Sequence, residues 1–273
     1  MKTRATAVIA LAVALPFGAG AEEPASTDLL DAIAAAGPSS SVAVDRSWLY
    51  NDSARLPAAG HAVGLMRLSY GSGSPTRAFA GNLGTAGGMF EIGGEVGLFE
   101  RVSAVAIGTQ GQDSAGSSQT GGLFGLRVSL LPRSVRATQL VVSGGVLREL
   151  EGNGGAWGRL TLGHDEGPTR LAVSVHAEKI FETNRDTVDL MVTAGVSTRL
   201  VGPVRVGIEY VGQDLEGVVD AEEAEGGARH ILGPVVSAAL WNQRISLVGG
   251  PAVALGGSRE TRVLGRVGLS CQF

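Results

Sequence analysis

The sequence predicts an all-β protein: a closed, antiparallel, up-and-down transmembrane β-barrel of about twelve strands, within a range of ten to fourteen, preceded by a short N-terminal segment. Three observations carry this prediction. Apolar and polar residues alternate with period two after residue 60, the connections alternate between long and short, and an export-type N-terminus is followed by no apolar run long enough for a spanning helix. Composition agrees. The chain has 273 residues, 44% apolar, 18% charged and 5% aromatic, with 42 Gly and a single Cys. One thiol excludes an internal disulfide framework. The low charge and ample apolar content argue against disorder, and a net charge of −4 argues against a nucleic-acid binder driven by charge.

Residues 1–21 read as a secretory signal peptide. Lys2 and Arg4 form the positive n-region, Ala5–Leu15 the apolar h-region, and Ala19-Gly20-Ala21 a small-residue cleavage site. The h-region is far shorter than the ~20 residues a spanning helix requires. Removing it takes the net charge from −4 to −6 and leaves Lys179 as the only lysine. Residues 22–60 read as a periplasmic lead-in or as a poorly ordered tail. Ser26 or Thr27 caps a short helix, Leu29-Leu30-Asp31-Ala32-Ile33 carries its apolar stripe, and Gly37-Pro38 ends it. Ser39–Gly60 is rich in Ser, Ala and Pro, with isolated Trp48 and Tyr50.

Residues 61–273 divide into twelve strand-like segments: His61–Tyr70, Gly88–Phe99, Val102–Gln110, Thr120–Leu131, Ala137–Leu150, Ala156–His164, Thr169–Glu178, Val188–Leu200, Val204–Val211, His230–Leu240, Arg244–Leu255 and Thr261–Phe273. In the second, Phe90, Ile92, Val96 and Leu98 oppose Glu91, Gly93, Glu95 and Gly97. In the fourth, Phe124, Leu126, Val128 and Leu130 oppose Arg127 and Ser129. In the seventh, Leu171, Val173 and Val175 oppose Arg170, Ser174, His176 and Glu178. In the eighth, Val188, Leu190, Val192, Val196 and Leu200 oppose Asp189, Thr193, Ser197 and Arg199. In the ninth, Val204, Val206, Ile208 and Tyr210 oppose Arg205 and Glu209. In the twelfth, Val263, Val267, Leu269 and Phe273 oppose Arg262, Arg266, Ser270 and Gln272. The third, fifth, tenth and eleventh segments have no clear phase, because both of their faces are small or apolar.

The connections supply a second rhythm. Gly71–Gly87, Gly111–Gln119, Glu151–Gly155, Lys179–Thr187, Gln213–Arg229 and Gly256–Glu260 are mostly the longer ones. Glu100–Arg101, Pro132–Arg136, Asp165–Pro168, Val201–Pro203 and Trp241–Gln243 are short. Membrane barrels have short turns on one side and long loops on the other, and an even strand number puts both termini on the short-turn side. Aromatic residues mark both rims, with Tyr70, Phe90, Phe124, Phe181 and Tyr210 toward long loops and Phe99, Trp241 and Phe273 toward the other end; Trp157 has inward parity.

The chain ends Val267-Gly268-Leu269-Ser270-Cys271-Gln272-Phe273, with Val267, Leu269, Cys271 and Phe273 on one face. This resembles the C-terminal signal of Gram-negative outer-membrane β-barrel proteins. The segment Gly93–Val102 is similar to a hairpin of uncharacterised barrels of about twelve strands, and residues 61–273 share the family's overall pattern. The resemblance implies an outer-membrane location, contact with outer-membrane lipid and lipopolysaccharide, and recognition of Val267, Leu269, Cys271 and Phe273 by the barrel-assembly machinery during biogenesis.

Parity assigns Arg67, Glu91, Glu95, Arg127, Arg159, Arg170, Glu178, Asp189, Arg199, Arg205, Glu209, Arg262 and Arg266 to the lumen. Arg binds carboxylates bidentately, so these rows can pair across strands, and a surplus of Arg in an open lumen favours small anionic or zwitterionic solutes. The expected function is a narrow passive pore. The alternatives are an occluded barrel with a structural or surface-display role, its lumen filled by Arg–Glu rows and residues 22–60, a lipid-modifying enzyme, and a soluble periplasmic β protein. No catalytic role is expected: Ser174, His176 and Glu178 share one face, but same-face neighbours are ~6.6 Å apart. His61, His164, His176 and His230 lack metal-ligand spacing, and no cofactor or nucleic-acid partner is expected. The run Asp220-Ala221-Glu222-Glu223-Ala224-Glu225 makes the longest loop acidic, as a solvated loop or a divalent-cation site.

Overall fold

The computed structural model describes residues 48–51, 53–71, 87–112, 118–131, 137–150, 152–182, 188–213, 215, 229–241, 243–255 and 262–273. The signal peptide, the short helix and the acidic run 220–225 lie outside the described residues.

The chain forms a closed twelve-strand antiparallel barrel. Its strands are β1 (Ala62–Gly71), β2 (Gly87–Phe99), β3 (Val102–Gln112), β4 (Ser118–Ser129), β5 (Thr138–Arg148), β6 (Gly154–Glu166), β7 (Thr169–Ile180), β8 (Asp189–Val201), β9 (Val204–Gln213), β10 (Arg229–Leu240), β11 (Ile245–Leu255) and β12 (Arg262–Gln272). Each strand pairs with its sequence neighbours, and β1 pairs with β12 from Val63↔Gln272 to Tyr70↔Gly265. The closure extends to the last residue: Phe273 N–H donates to Ala62 O at 2.8 Å and Ala62 N–H donates to Phe273 O at 3.2 Å. A sheet without edges satisfies every ladder group internally, which is what hydrocarbon demands of a spanning β protein.

Short turns and both strand termini share one end of the barrel. Two of these turns are Gly-Pro. Gly167 (φ 55°) and Gly202 (φ 51°) take the left-handed region, and Pro168 and Pro203 fix the next φ. The outer face is a continuous apolar band that includes exposed Leu68, Ile92, Leu126, Val142, Leu160, Val173, Val196, Ile208, Val236, Leu247 and Val267. A soluble monomer does not expose an apolar surface of this extent.

The inner face follows the predicted parity, and the strands of unclear phase resolve into apolar inward rows. Val105 and Ile107 on β3, Val141 and Leu147 on β5, Ile231 and Val235 on β10, and Val248 and Ala252 on β11 all point inward. Those rows read poorly in sequence because a filled lumen is itself a core, so both faces of these strands favour apolar or small side chains.

Candidate functional site

The site grows from the inward positions of the wall. Arg67 stands directly across β1–β2 from Glu91, with Arg67 Nη1 3.8 Å from Glu91 Oε2, and Arg266 of β12 donates to the same carboxylate. Four residues along β2, buried Glu95 accepts from Arg127 Nη1 of β4 at 2.7 Å and from Ser103 Oγ of β3 at 2.5 Å. Arg159 Nε donates to His176 Nδ1 at 3.0 Å. That bond leaves the imidazole proton on Nε2, which faces Glu178 Oε1 at 2.7 Å. The inward Trp157 stacks on the His176 ring at 5.9 Å. Arg170 Nε lies 3.3 Å from Asp165 Oδ1. Arg205 donates to Ser197 Oγ at 3.3 Å and to the Pro168 carbonyl at 2.8 Å. Asp189 is half-buried, Arg199 is exposed at the terminus-bearing rim, and the Arg262 side chain lies outside the described residues. The remaining charged positions of the predicted lumen set therefore face inward and fall into separate clusters rather than one ring.

The main sequence reading puts residues 48–57 outside the barrel, as part of a periplasmic lead-in, and only its occluded-barrel alternative has residues 22–60 fill the lumen. Residues 48–57 lie inside the barrel. Trp48, Leu49, Asn51, Ser53, Ala54, Leu56 and Pro57 are all buried. At the inner end the chain bends around Glu209, whose carboxylate accepts three successive backbone N–H groups, from Leu49 (3.0 Å), Tyr50 (3.3 Å) and Asn51 (3.2 Å). Thr193 Oγ1 donates to Asn51 Oδ1, Arg127 Nη2 donates to Ser53 O, and Arg55 pairs with Asp165. Leu49 packs with Val235 and Val248, while Ala54 and Leu56 pack with Val141. The segment thus contacts β4, β5, β6, β8, β9, β10 and β11 and crosses the lumen.

Several glycines make room for it, Gly163 among them, where a Cβ would stand 2.8 Å from Ala54 Cβ. A Cβ on Gly195 would stand 2.7 Å from the Trp48 ring and 3.0 Å from Asn51 Nδ2, and a Cβ on Gly97 would stand 2.1 Å from Ala58 O. The reason for the burial is chemical. Arg and Glu left over from cross-strand pairing need partners, and the backbone of an aperiodic Ser/Ala/Pro-rich segment offers N–H and C=O groups in either polarity.

Toward the long-loop end the lumen turns apolar. Met191, Val211, Ile231, Ala252 and Leu264 form one buried cluster with Tyr50 against it, and Val105, Leu147, Trp157 and Ile180 form another. Arg266 sits over the Tyr50 ring at 5.5 Å. Burial pushes the Tyr50 phenol above its ordinary pKa; the Arg266 charge opposes this and Glu209 adds to it. Beside the Arg55–Asp165 pair, a cavity of about 30 Å³ is lined by Trp48, Gln139 and Arg170 among others, room for about one water.

Sequence reasoning held residues 48–57 in the lumen only as part of the occluded alternative, and it missed Asp165 (assigned to a turn but inward on β6), buried Glu149 and the apolar inner rows. Only the isolated Trp48 and Tyr50 within a polar stretch hinted at the burial of residues 48–57. Ser174 Oγ donates to Thr161 Oγ1 at 3.1 Å rather than to His176, so the Ser174, His176 and Glu178 face is not wired as a nucleophilic triad. Among the described residues no group of three or more His, Cys, Asp or Glu is placed to hold a metal ion.

No protein-family model matches the chain, and no curated protein matches it. Solved structures do. The chain is similar in fold to the KdgM porin in complex with disordered oligogalacturonate, at TM-score 0.52 and 11% identity, covering 77% of this chain and 99% of that one. It is also matched to a loop-deletion mutant of OmpT, an outer membrane protein of Vibrio cholerae (TM-score 0.41, 8% identity, covering 78% and 98%), and to OccD1 (TM-score 0.41, 9% identity, covering 76% and 65%). At these identities the likeness is one of fold, the porin-like barrel of outer-membrane proteins.

Proposed function

We propose that this chain is an outer-membrane barrel forming a narrow passive pore for small anionic or zwitterionic solutes, with residues 48–57 as its constriction. In this reading the end carrying both termini faces the periplasm and residues 1–21 are the export signal. Val267, Leu269, Cys271 and Phe273, which share the outward face of β12, are the assembly signal. The observation that supports the pore most is how the lumen is filled. The constriction is not part of the wall; it is one re-entrant stretch held largely by hydrogen bonds to Glu209, Arg127 and Thr193, bonds that water can replace. The inner wall carries Arg67, Arg127, Arg159, Arg170, Arg205 and Arg266 beside its carboxylates, and fixed positive charge of this kind lowers the barrier for anions. The KdgM porin, whose structure contains oligogalacturonate, is consistent with solute passage through a barrel of this fold.

Planar-bilayer recording of the refolded chain tests the proposal. The full-length protein is expected to show small, anion-selective steps, and a variant lacking residues 48–57 larger ones. Silence from both would reject the pore and leave the barrel as a closed structural or display element.

A further inference from the structure

We infer that the inner rim between β7, β8 and β9 at the terminus-bearing end is an oxyanion-binding site, built by Arg170, Arg199 and Arg205 to take a phosphate or carboxylate group. Register brings them together. Arg199 is the direct cross-strand partner of Arg205, and Ser197, two residues before Arg199, pairs with Arg170. Arg205 reaches across to Ser197 Oγ and O and to the Pro168 carbonyl, which also accepts the Arg199 backbone N–H at 3.0 Å. The charges of Arg205 and Arg199 both act on Arg170.

Like charges directly opposite on a sheet destabilise it. Elsewhere the inner arginines stand beside an acid or its relay. Arg67 and Arg266 share Glu91, Arg127 has Glu95, and Arg159 reaches Glu178 through His176. Here Asp165 is in salt-bridge contact with Arg55 and Arg170. Among the described residues neither Arg199 nor Arg205 has a carboxylate within salt-bridge distance. Two arginines directly opposite each other on the sheet with no such carboxylate concentrate positive charge at this rim. Asp165 and Arg170 are only partly buried and Arg199 is exposed, so an anion from water can reach it. Guanidinium forks take planar carboxylates and phosphates bidentately, which sets the ligand class.

The site deepens the proposed anion preference of the pore, but its binding is measurable without conduction. Full-length protein refolded in neutral detergent at low ionic strength is titrated calorimetrically with inorganic phosphate. The wild type and Arg148→Gln, an exposed arginine at the opposite rim, are expected to bind alike. Arg199→Gln is expected to bind about tenfold more weakly, and Arg199→Gln with Arg205→Gln to show no binding. Arg199→Gln carries the test if the double variant does not fold, because the Arg199 side chain is exposed. Absence of binding to the wild type, or equal losses in Arg148→Gln and Arg199→Gln, overturns the site. Repeating the titration with phosphatidylglycerol or phosphatidylcholine in the micelles separates the sources. Competition by the anionic lipid alone identifies a headgroup as the occupant, and no competition identifies a free solute; both results keep the site. Phosphate binding without conductance rejects the pore and spares the site, whereas conductance without phosphate binding does the reverse.

Discussion

Glu209 Oε2 stands 3.0 Å from the backbone nitrogen of Leu49, although 160 positions separate them in the chain. With Tyr50 and Asn51 donating to the same carboxylate, Glu209 is the point at which the wall holds the lumenal segment. Hydrogen bonds to a charged acceptor contribute about 1.5–3 kcal/mol each when desolvated. Glu209→Gln replaces one acceptor oxygen with a donor that faces other donors. Channel steps are expected to grow severalfold, and Ser53→Cys in a Cys271→Ser background to become reactive toward maleimide. An unchanged conductance, together with a thiol at position 53 that stays protected, would show that the latch lies elsewhere.

Space at Gly195 should act on the segment and not on the wall. A bulky Gly195→Leu side chain meets the Trp48 ring and Asn51, both of which belong to the segment. It is expected to expel the segment while the folded barrel keeps its resistance to heat in detergent. Gly145→Ala is the contrast, because its Cβ would stand 2.0 Å from the Phe124 carbonyl in the wall itself. That variant is expected to lose heat resistance, read as the folded band on a semi-native gel.

The buried Arg127–Glu95 pair tests how much the lumen depends on charge balance. Arg127→Gln removes the ion pair of buried Glu95 while leaving its Ser103 hydrogen bond, and breaking a buried ion pair from one side costs about 3–5 kcal/mol. The double variant with Glu95→Gln is expected to recover part of that loss. Guanidinium unfolding followed by tryptophan fluorescence measures both; additive losses would mean that the pair is not coupled.

The lipid-facing assignment makes a depth-dependent prediction. Ile208 is outward and mid-strand on β9, so Ile208→Arg is expected to lower stability in lipid by about 2–4 kcal/mol, while Val204→Arg at the rim costs about 0–1 kcal/mol. Equal costs at both depths, measured by unfolding from vesicles, would contradict a spanning wall.

Alkaline pH should release the segment. The Tyr50 phenol is held above its ordinary pKa in the lumen, so the folded chain retains a proton that the released segment loses once pH passes about 10. The released state then binds fewer protons, so the closed state keeps its full stability relative to it only while the phenol stays protonated in both. Once pH rises past the ordinary phenol value, the released state is favoured progressively until the buried phenol also ionises. Conductance is expected to climb above about pH 10, and Tyr50→Phe to flatten the climb.

The architecture was legible in the sequence because hydrocarbon imposes a strict rule. Leu126, Ile208, Val173 and Val267 must be apolar wherever they touch lipid, and their inward neighbours Arg127, Glu209, Ser174 and Arg266 need not be. Period-two parity therefore placed these residues on the correct faces, and the alternating connections placed the start of β1 and the end of β12 at one end. The inward charged rows were legible for the same reason, but their partners were not. Whether Glu91 meets Arg67, Arg266 or both depends on ring closure between β1 and β12, which no local pattern encodes. The third, fifth, tenth and eleventh strands lost their phase because Val105, Leu147, Ile231 and Val248 face a filled interior. By itself the sequence determined which side of most strands is the apolar outer face, since that choice is made residue by residue by solvation. Only the tertiary structure decided that residues 48–57 occupy the lumen. An aperiodic segment has no solvation pattern of its own, and its place is set by buried groups such as Glu209 and Arg127, which the closed ring gathers from distant strands and which hydrogen-bond its backbone.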